Sequence, residues 1–423
     1  MNSITIKKSL SSIFTVLVCL LMTKKGLSEL LILSGERFSF LKNEIVIMIL
    51  FLIILAMLII RLLHGASIEI SFILIAGLFA GSLLLTYSVN YSTSFKTNSQ
   101  VTPIISTYGV IILLLIVKAI NNHSILDKNA VINTLLLFSV GQSLLGIVQY
   151  ITKNAIVPIM NNGMPIVNAI YYNHGTSSSN EYFLNDIGGK LRAFGMTDSG
   201  LTLGLFTLLG ISIVLDKKEL PVTVKVLLLT ILGTALLMTI TRVIFLALIL
   251  LIILFIFFKR REKLIGVYLL FIVFQVALIF ISGVLFRVNW LQTNFPTVLS
   301  RFSGFDYYIH LYPLNIGGII WGHNLVSFLP SITSIYSIDN EMLDVILDIG
   351  LIGYLIFIGT ITHTILGWID DARQSRSATL LFLIVWPFIG IVNVPFYFYI
   401  PLLLLFSLAF DCFPSNSKVE SLE

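Results

Sequence analysis

Apolar residues run along this chain in long blocks separated by short polar connections. Blocks at 44–63, 68–88, 101–120, 130–151, 198–215, 222–240, 243–258, 264–285, 341–366, 378–393 and 396–411 have the length, or nearly the length, needed to cross about 30 Å of hydrocarbon. A further block at 10–23 is shorter than the usual 20 or so residues of a span. The pattern predicts an all-α, polytopic membrane bundle of about twelve transmembrane helices, with 11 to 13 as the range. No long polar stretch divides the blocks, so residues 1–423 read as a single polytopic membrane domain.

Composition removes the soluble alternative. Apolar residues make up 57% of the chain and charged residues 11%, against about 25% charged in an average soluble domain, and mean hydropathy is +1.00. A soluble fold has no way to hide that much apolar surface. The net charge of +5 is spread over the connections and forms no stripe, so no nucleic-acid partner is expected; the lipid bilayer is. Cys19 and Cys412 stand near opposite ends, without the spacing of a disulfide framework or a metal site. Lys7 and Lys8 before an apolar stretch resemble a signal peptide, but no small-residue cleavage pattern follows before Lys24, so a retained first span is expected.

Basic residues orient the bundle. The cluster Lys259-Arg260-Arg261-Glu262-Lys263 lies in a tight connection and is assigned to the cytoplasm. Alternation from there puts Arg61, Lys118, Lys128, Lys217, Lys218, Lys225, Arg373 and Arg376 on the same side, with both termini cytoplasmic. Lys24 and Lys25 break the rule if the first block spans. Two long segments, 152–197 and 286–340, then face outward, and loops of that length are usually functional. The first is turn-rich, with Asn161-Asn162-Gly163 and Asn173-His174-Gly175. The second carries Trp290, Phe295, Phe302, Phe305, Tyr307, Tyr308, Tyr312 and Trp321, which predicts short helices on the membrane surface.

Two groups of residues carry candidate chemistry. Arg192, Arg242, Arg287 and Arg301 fall on the outward side, where the positive-inside rule disfavours them. A guanidinium binds phosphate oxygens through a planar fork of donors, so these arginines are candidates for holding a lipid diphosphate; snorkelling to headgroups is the competing explanation. The second group is Asp339-Asn340-Glu341-Met342-Leu343-Asp344, followed by Asp348-Ile349-Gly350-Leu351-Ile352-Gly353. Asp339 is the expected N-cap, and first-turn acids complement the helix dipole, which accounts for part of the pattern. Asp344 and Asp348 lie one turn apart on one face and need polar partners at depth. Asp339 is the candidate general base, with Asn340, Glu341 and Asp344 supporting it at the helix mouth. His323, within Gly322-His323-Asn324, is a second candidate because its neighbours allow a tight turn; His174 and His310 read as ordinary loop histidines. The blocks themselves carry almost no ionisable residue, which weighs against an ion-coupled transporter.

Three segments, Arg192 to Gly200, Met238 to Arg242 and Asp339 to Gly353, together resemble the bacterial O-antigen polymerase and ligase superfamily of Wzy-type membrane proteins. Arg192-Ala193-Phe194-Gly195-Met196-Thr197-Asp198-Ser199-Gly200 looks like that family's arginine and glycine motif, and Met238-Thr239-Ile240-Thr241-Arg242 looks like its Thr-x-Ser-Arg hairpin with threonine for serine. Asp339-Asn340-Glu341-Met342-Leu343 resembles its [His/Asp]-Asn-x-Tyr-Leu segment with Met342 for tyrosine, and the run ending at Gly350 and Gly353 resembles the Gly-x-x-Gly that follows. The likeness covers roughly the second half of the chain. It implies a GT-C-like fold in the cytoplasmic membrane and an extracytoplasmic active site. The implied activity is metal-independent glycosyl transfer, without a cofactor, from an undecaprenyl diphosphate-linked oligosaccharide. A flippase and a chain-length regulator of the same pathway are the implied partners. Arg192, Arg242 and Arg301, with Arg287, would bind the diphosphate, while Asp339 or His323 would act on the acceptor hydroxyl. Aspartate rather than histidine before Asn340 favours polymerase over ligase; a flippase for the same lipid-linked sugar is the third expectation.

Overall fold

The computed structural model describes residues 3–23, 43–63, 68–92, 101–120, 125–152, 160–161, 164–165, 172–174, 182–184, 192–258, 260–285, 316–323, 340–370, 377–391 and 393–410. In order the helices are α1 (Ser3–Met22), α2 (Asn43–Leu63), α3 (Ile70–Ser92), α4 (Val101–Ile120), α5 (Lys128–Thr152), α6 (Gly200–Asp216), α7 (Val222–Met238) and α8 (Arg242–Phe257). They continue as α9 (Arg261–Leu285), α10 (Ile316–Trp321), α11 (Glu341–Asp370), α12 (Ala378–Ile384), α13 (Trp386–Gly390) and α14 (Phe396–Ala409). Between α5 and α6 lie two small antiparallel ladders, β1 (Met160–Asn161) with β2 (Met164–Pro165) and β3 (Tyr172–His174) with β4 (Tyr182–Leu184).

Every apolar block holds a helix, with two departures. The first helix starts at Ser3 rather than near residue 10 and takes in Lys7 and Lys8, so it reaches 20 residues. The block at 378–393 is not one rod: the chain breaks at Val385, α13 opens with Pro387 in its first turn, and α14 starts after Pro395. Proline lacks the N–H that would continue the ladder, which ends the helix there.

Among the described residues, three helices are long and apolar enough to cross a membrane: Ile70–Ser88, Lys128–Thr152 and Glu341–Ile369. Seven shorter apolar helices accompany them. On α8 the residues Leu246, Ile249, Ile253 and Ile256 form an exposed apolar row. Such rows also line α2 and α3 and suit hydrocarbon; in water they would drive aggregation.

Contacts divide the chain into two compact units that interleave in sequence: residues 1–50, 124–257 and 376–382 form the first, and residues 51–123, 258–375 and 383–423 the second. In the first unit α6 is the central rod, buried along almost its whole length by α5, α7 and α8. Its last residue, Asp216, accepts hydrogen bonds from the Ser377 hydroxyl (2.5 Å), the Ala378 and Thr379 N–H groups (2.6 and 2.9 Å) and the Thr379 hydroxyl (2.6 Å). That carboxylate satisfies the free donors that begin α12. At the start of α5, Asp127 receives the Ala130 N–H at 2.7 Å, and its own N–H donates to Ser11 Oγ of α1 at 2.8 Å.

The second unit has an aromatic centre. Tyr108 stacks on Phe396 at 5.8 Å, Trp386 stacks on Tyr399 at 5.4 Å, and Phe357 meets both Trp386 and Phe396 edge-on. The broken stretch beside these rings leaves carbonyls without helical partners. Gln275 Nε2 donates to Gly390 O at 3.0 Å and Asn340 Nδ2 to Ile391 O at 3.2 Å, so buried amides from elsewhere close the gap.

Candidate functional site

Residues 192–199 form an irregular loop, largely buried, that leads into α6. Buried loop backbone needs hydrogen-bond partners, and two glutamines of α5 supply them. Gln149 Oε1 accepts from the N–H groups of Phe194 (3.2 Å) and Gly195 (2.8 Å), and its Nε2 donates to Gly195 O at 2.7 Å. Gln142 Oε1 accepts from Met196 N–H at 2.7 Å. Gly195 has φ +61, and a methyl built on it would lie 2.6 Å from Gln142 Oε1, so the turn needs glycine twice over. Thr197 closes the turn by donating from its hydroxyl to Phe194 O at 2.6 Å, and Ser199 caps α6 by accepting from Thr202 N–H.

This loop docks on the α7–α8 hairpin. Ala193 N–H donates to Met238 O at 2.9 Å, and a methyl built on Gly200 would lie 2.9 Å from Thr239 O. The hairpin turn runs through Thr239, Ile240 at φ +49 and Thr241, and Arg242 is the first residue of α8. Arg192 and Arg242, fifty positions apart in sequence, thus belong to two backbone segments bonded to each other at one end of the first unit. Arg192 is half-buried and Arg242 exposed. The N-termini of α6 and α8 open at this same end, adding the positive ends of two helix dipoles. A cation at a helix N-terminus is opposed by the dipole, so α8 gains nothing from Arg242 by itself. Asp198 is the acid of the loop: its carboxylate accepts from the Thr202 hydroxyl at 2.5 Å, and its N–H donates to Thr23 O beyond α1 at 3.1 Å. Chemically, this end is suited to an anion with several oxygens.

No family model, no curated protein and no solved structure matches the chain.

The acidic group lies in the second unit, on α11. The expected cap at Asp339 is a correction: Asn340 caps the helix, its Oδ1 accepting from Leu343 N–H at 2.9 Å, because it is the residue immediately before the first helical position. Asp339 itself, like Arg287 and Arg301, lies outside the described residues. Glu341, the first residue of α11, is 5% exposed and accepts from Trp386 Nε1 at 3.0 Å. Asp344 is half-buried and Asp348 fully buried on the same face, both within electrostatic range of Tyr108.

Below them α11 is not continuous. Gly350 has φ 74 and ψ 178, and Gly322, at φ +73, is pressed against it: a methyl on Gly322 would lie 2.5 Å from both Asp348 O and Gly350 N. Backbone fits directly into backbone at this break. His323 N–H donates to Leu347 O at 2.6 Å, and the Thr86 hydroxyl donates to Trp321 O at 2.5 Å, fixing the end of α10 there. His323 is brought beside the acidic turn of α11, and its burial pulls the imidazole below its ordinary range.

Sequence reasoning missed Gln142, Gln149 and Trp386. It also missed a pair in the second unit where Lys118 Nζ donates to His363 Nδ1 at 3.0 Å and sits over the Phe72 ring. The available signal was polarity inside an apolar block; for the glutamines it was also their seven-residue spacing, which places both on one helix face.

Proposed function

We propose that the chain is a polysaccharide repeat-unit polymerase of the cytoplasmic membrane. It takes glycan from an undecaprenyl diphosphate-linked donor and passes it to a lipid-linked acceptor on the outer face, making O-antigen, capsule or exopolysaccharide. The observation that carries this reading is the Ala193–Met238 hydrogen bond, which joins the arginine loop to the arginine hairpin. Arg192 and Arg242 hold the diphosphate and stabilise the charge that grows on it as the glycosidic bond breaks. By the resemblance, Asp339 or His323 is the candidate for the acceptor hydroxyl, and Arg287 and Arg301 are further candidates for binding phosphate. The fold is a GT-C-like bundle of about twelve spans with cytoplasmic termini. The Asp198–Thr23 bond supports a first helix that also spans, since it brings the end of α1 to the arginine-bearing end.

The test is elongation: purified full-length protein given lipid-linked repeat units should produce a ladder of longer glycans. Arg242→Lys keeps the charge but loses the fork, and should cut the ladder by about tenfold or more. Absence of any ladder with the natural repeat unit would remove the polymerase reading.

A second reading, a flippase for the same lipid-linked sugar, is favoured by the broken helices at Gly350 and at residues 385–395, since membrane carriers bind substrate at interrupted helices. Movement of repeat units across vesicles without elongation would select it.

A further inference from the structure

Gln142 and Gln149 make four hydrogen bonds to three consecutive residues of the arginine loop and are themselves nearly fully buried, at 6% and 1% exposure. A glutamine in an apolar helix is costly unless paired. Gln149 binds both the N–H and the C=O of Gly195, so one side chain holds the two peptide groups that flank this residue. Between the glutamines, Gly146 lets the loop approach closely: a methyl there would lie 3.4 Å from Ala193 Cβ and 2.6 Å from Leu203 Cδ2. Ala193 is the residue that bonds the hairpin, and Arg192 precedes it. The path from the glutamine amides to the backbone of Arg192 is therefore short, buried and bonded throughout.

We propose that Gln142 and Gln149 are positioning residues for the anion site. They fix the register of residues 193–196 so that the Arg192 guanidinium is held for a diphosphate rather than a single phosphate. This rests on the diphosphate-binding reading above. Neither glutamine touches the ligand; each acts through the loop backbone. Selectivity for two linked phosphates depends on the spacing between Arg192 and Arg242, and loop register sets that spacing. A loss of register therefore lowers diphosphate affinity more than monophosphate affinity.

The experiment measures binding of a C55 polyprenyl diphosphate and of the matching monophosphate to the full chain in lipid nanodiscs, well below its melting temperature. The wild type should prefer the diphosphate. Gln149→Met, close in volume but without the amide, should lose about tenfold in diphosphate affinity and bring the ratio toward one, with monophosphate binding nearly kept. Gln142→Met removes one bond and should lose about threefold; it carries the comparison if the other variant does not fold. Leu144→Ala, at an exposed position of the same helix, should leave the ratio alone. A ratio unchanged in folded glutamine variants but lowered in Arg192→Lys overturns the positioning role and leaves diphosphate binding standing. A wild type without preference for the diphosphate overturns both.

Discussion

The arginine loop of the first unit and the break in α11 of the second face the same problem, non-helical backbone buried among apolar helices, and they solve it differently. At residues 193–196 the solution is made of side chains: two amides reach in and satisfy the peptide groups. At Gly350 the solution is made of backbone, with Gly322 seated against it and His323 N–H bonded to Leu347 O. A side-chain solution degrades in steps, because each amide can be altered alone. A backbone solution has no room for a side chain and fails at once. The graded device holds the residue expected to meet the ligand, and the all-or-none device holds the shape of a long helix.

That contrast predicts an order of effects. Gly350→Ala should be the most damaging single change, costing about 3 kcal/mol or more, because its φ and ψ lie where only glycine is at ease and the methyl would overlap Ile320 O. Thermal unfolding in detergent would show this as loss of a cooperative transition; near-normal melting would mean that the break is not needed. Gly195→Ala should cost less, about 2 kcal/mol, since the nearest clash, at 2.6 Å, is with the Gln142 side-chain Oε1, while the Gln142 backbone O lies farther off at 3.1 Å. Its diphosphate binding should fall further than its stability does. Asn340→Ala removes both the α11 cap and the bond to Ile391 O, for about 1–2 kcal/mol by chemical denaturation. A loss as large as that of Gly350→Ala would erase the distinction between the two devices.

The smallest effect is one of pH. His323 is held below its ordinary value of 6.5 by burial, so the unfolded chain takes up a proton at a higher pH than the folded one. Its contribution is fully present above pH 6.5 and is lost as pH falls below it. His323→Gln should flatten the dependence of melting temperature on pH below about 6.5, and a slope identical to wild type would show that His323 does not carry it.

Hydropathy was enough to locate the helices of the apolar blocks, though not α10, because a membrane span must satisfy its own backbone and an apolar block leaves few other choices. It was blind to interruptions within blocks. The break before Pro387 had a visible cause, but the positive φ of Gly350 arises from contact with Gly322, twenty-eight positions away, and no local pattern encodes it. At the site, Arg192 and Arg242 stood out because charge in the wrong place is conspicuous. Gln142 and Gln149 did not, since two amides barely lower the mean hydropathy of a 25-residue helix. The cap of α11 was missed by one residue: aspartate and asparagine cap about equally well, so propensity cannot choose between Asp339 and Asn340.

Arg192 and Arg242, if they act on one anion, should be energetically coupled, and a double-mutant cycle measures that coupling. Arg192→Lys, Arg242→Lys and the double variant would be titrated with C55 polyprenyl diphosphate in nanodiscs. The single losses should not add, with a coupling of about 1 kcal/mol or more between the two positions. Strict additivity, or no loss in either single variant, would contradict a shared anion.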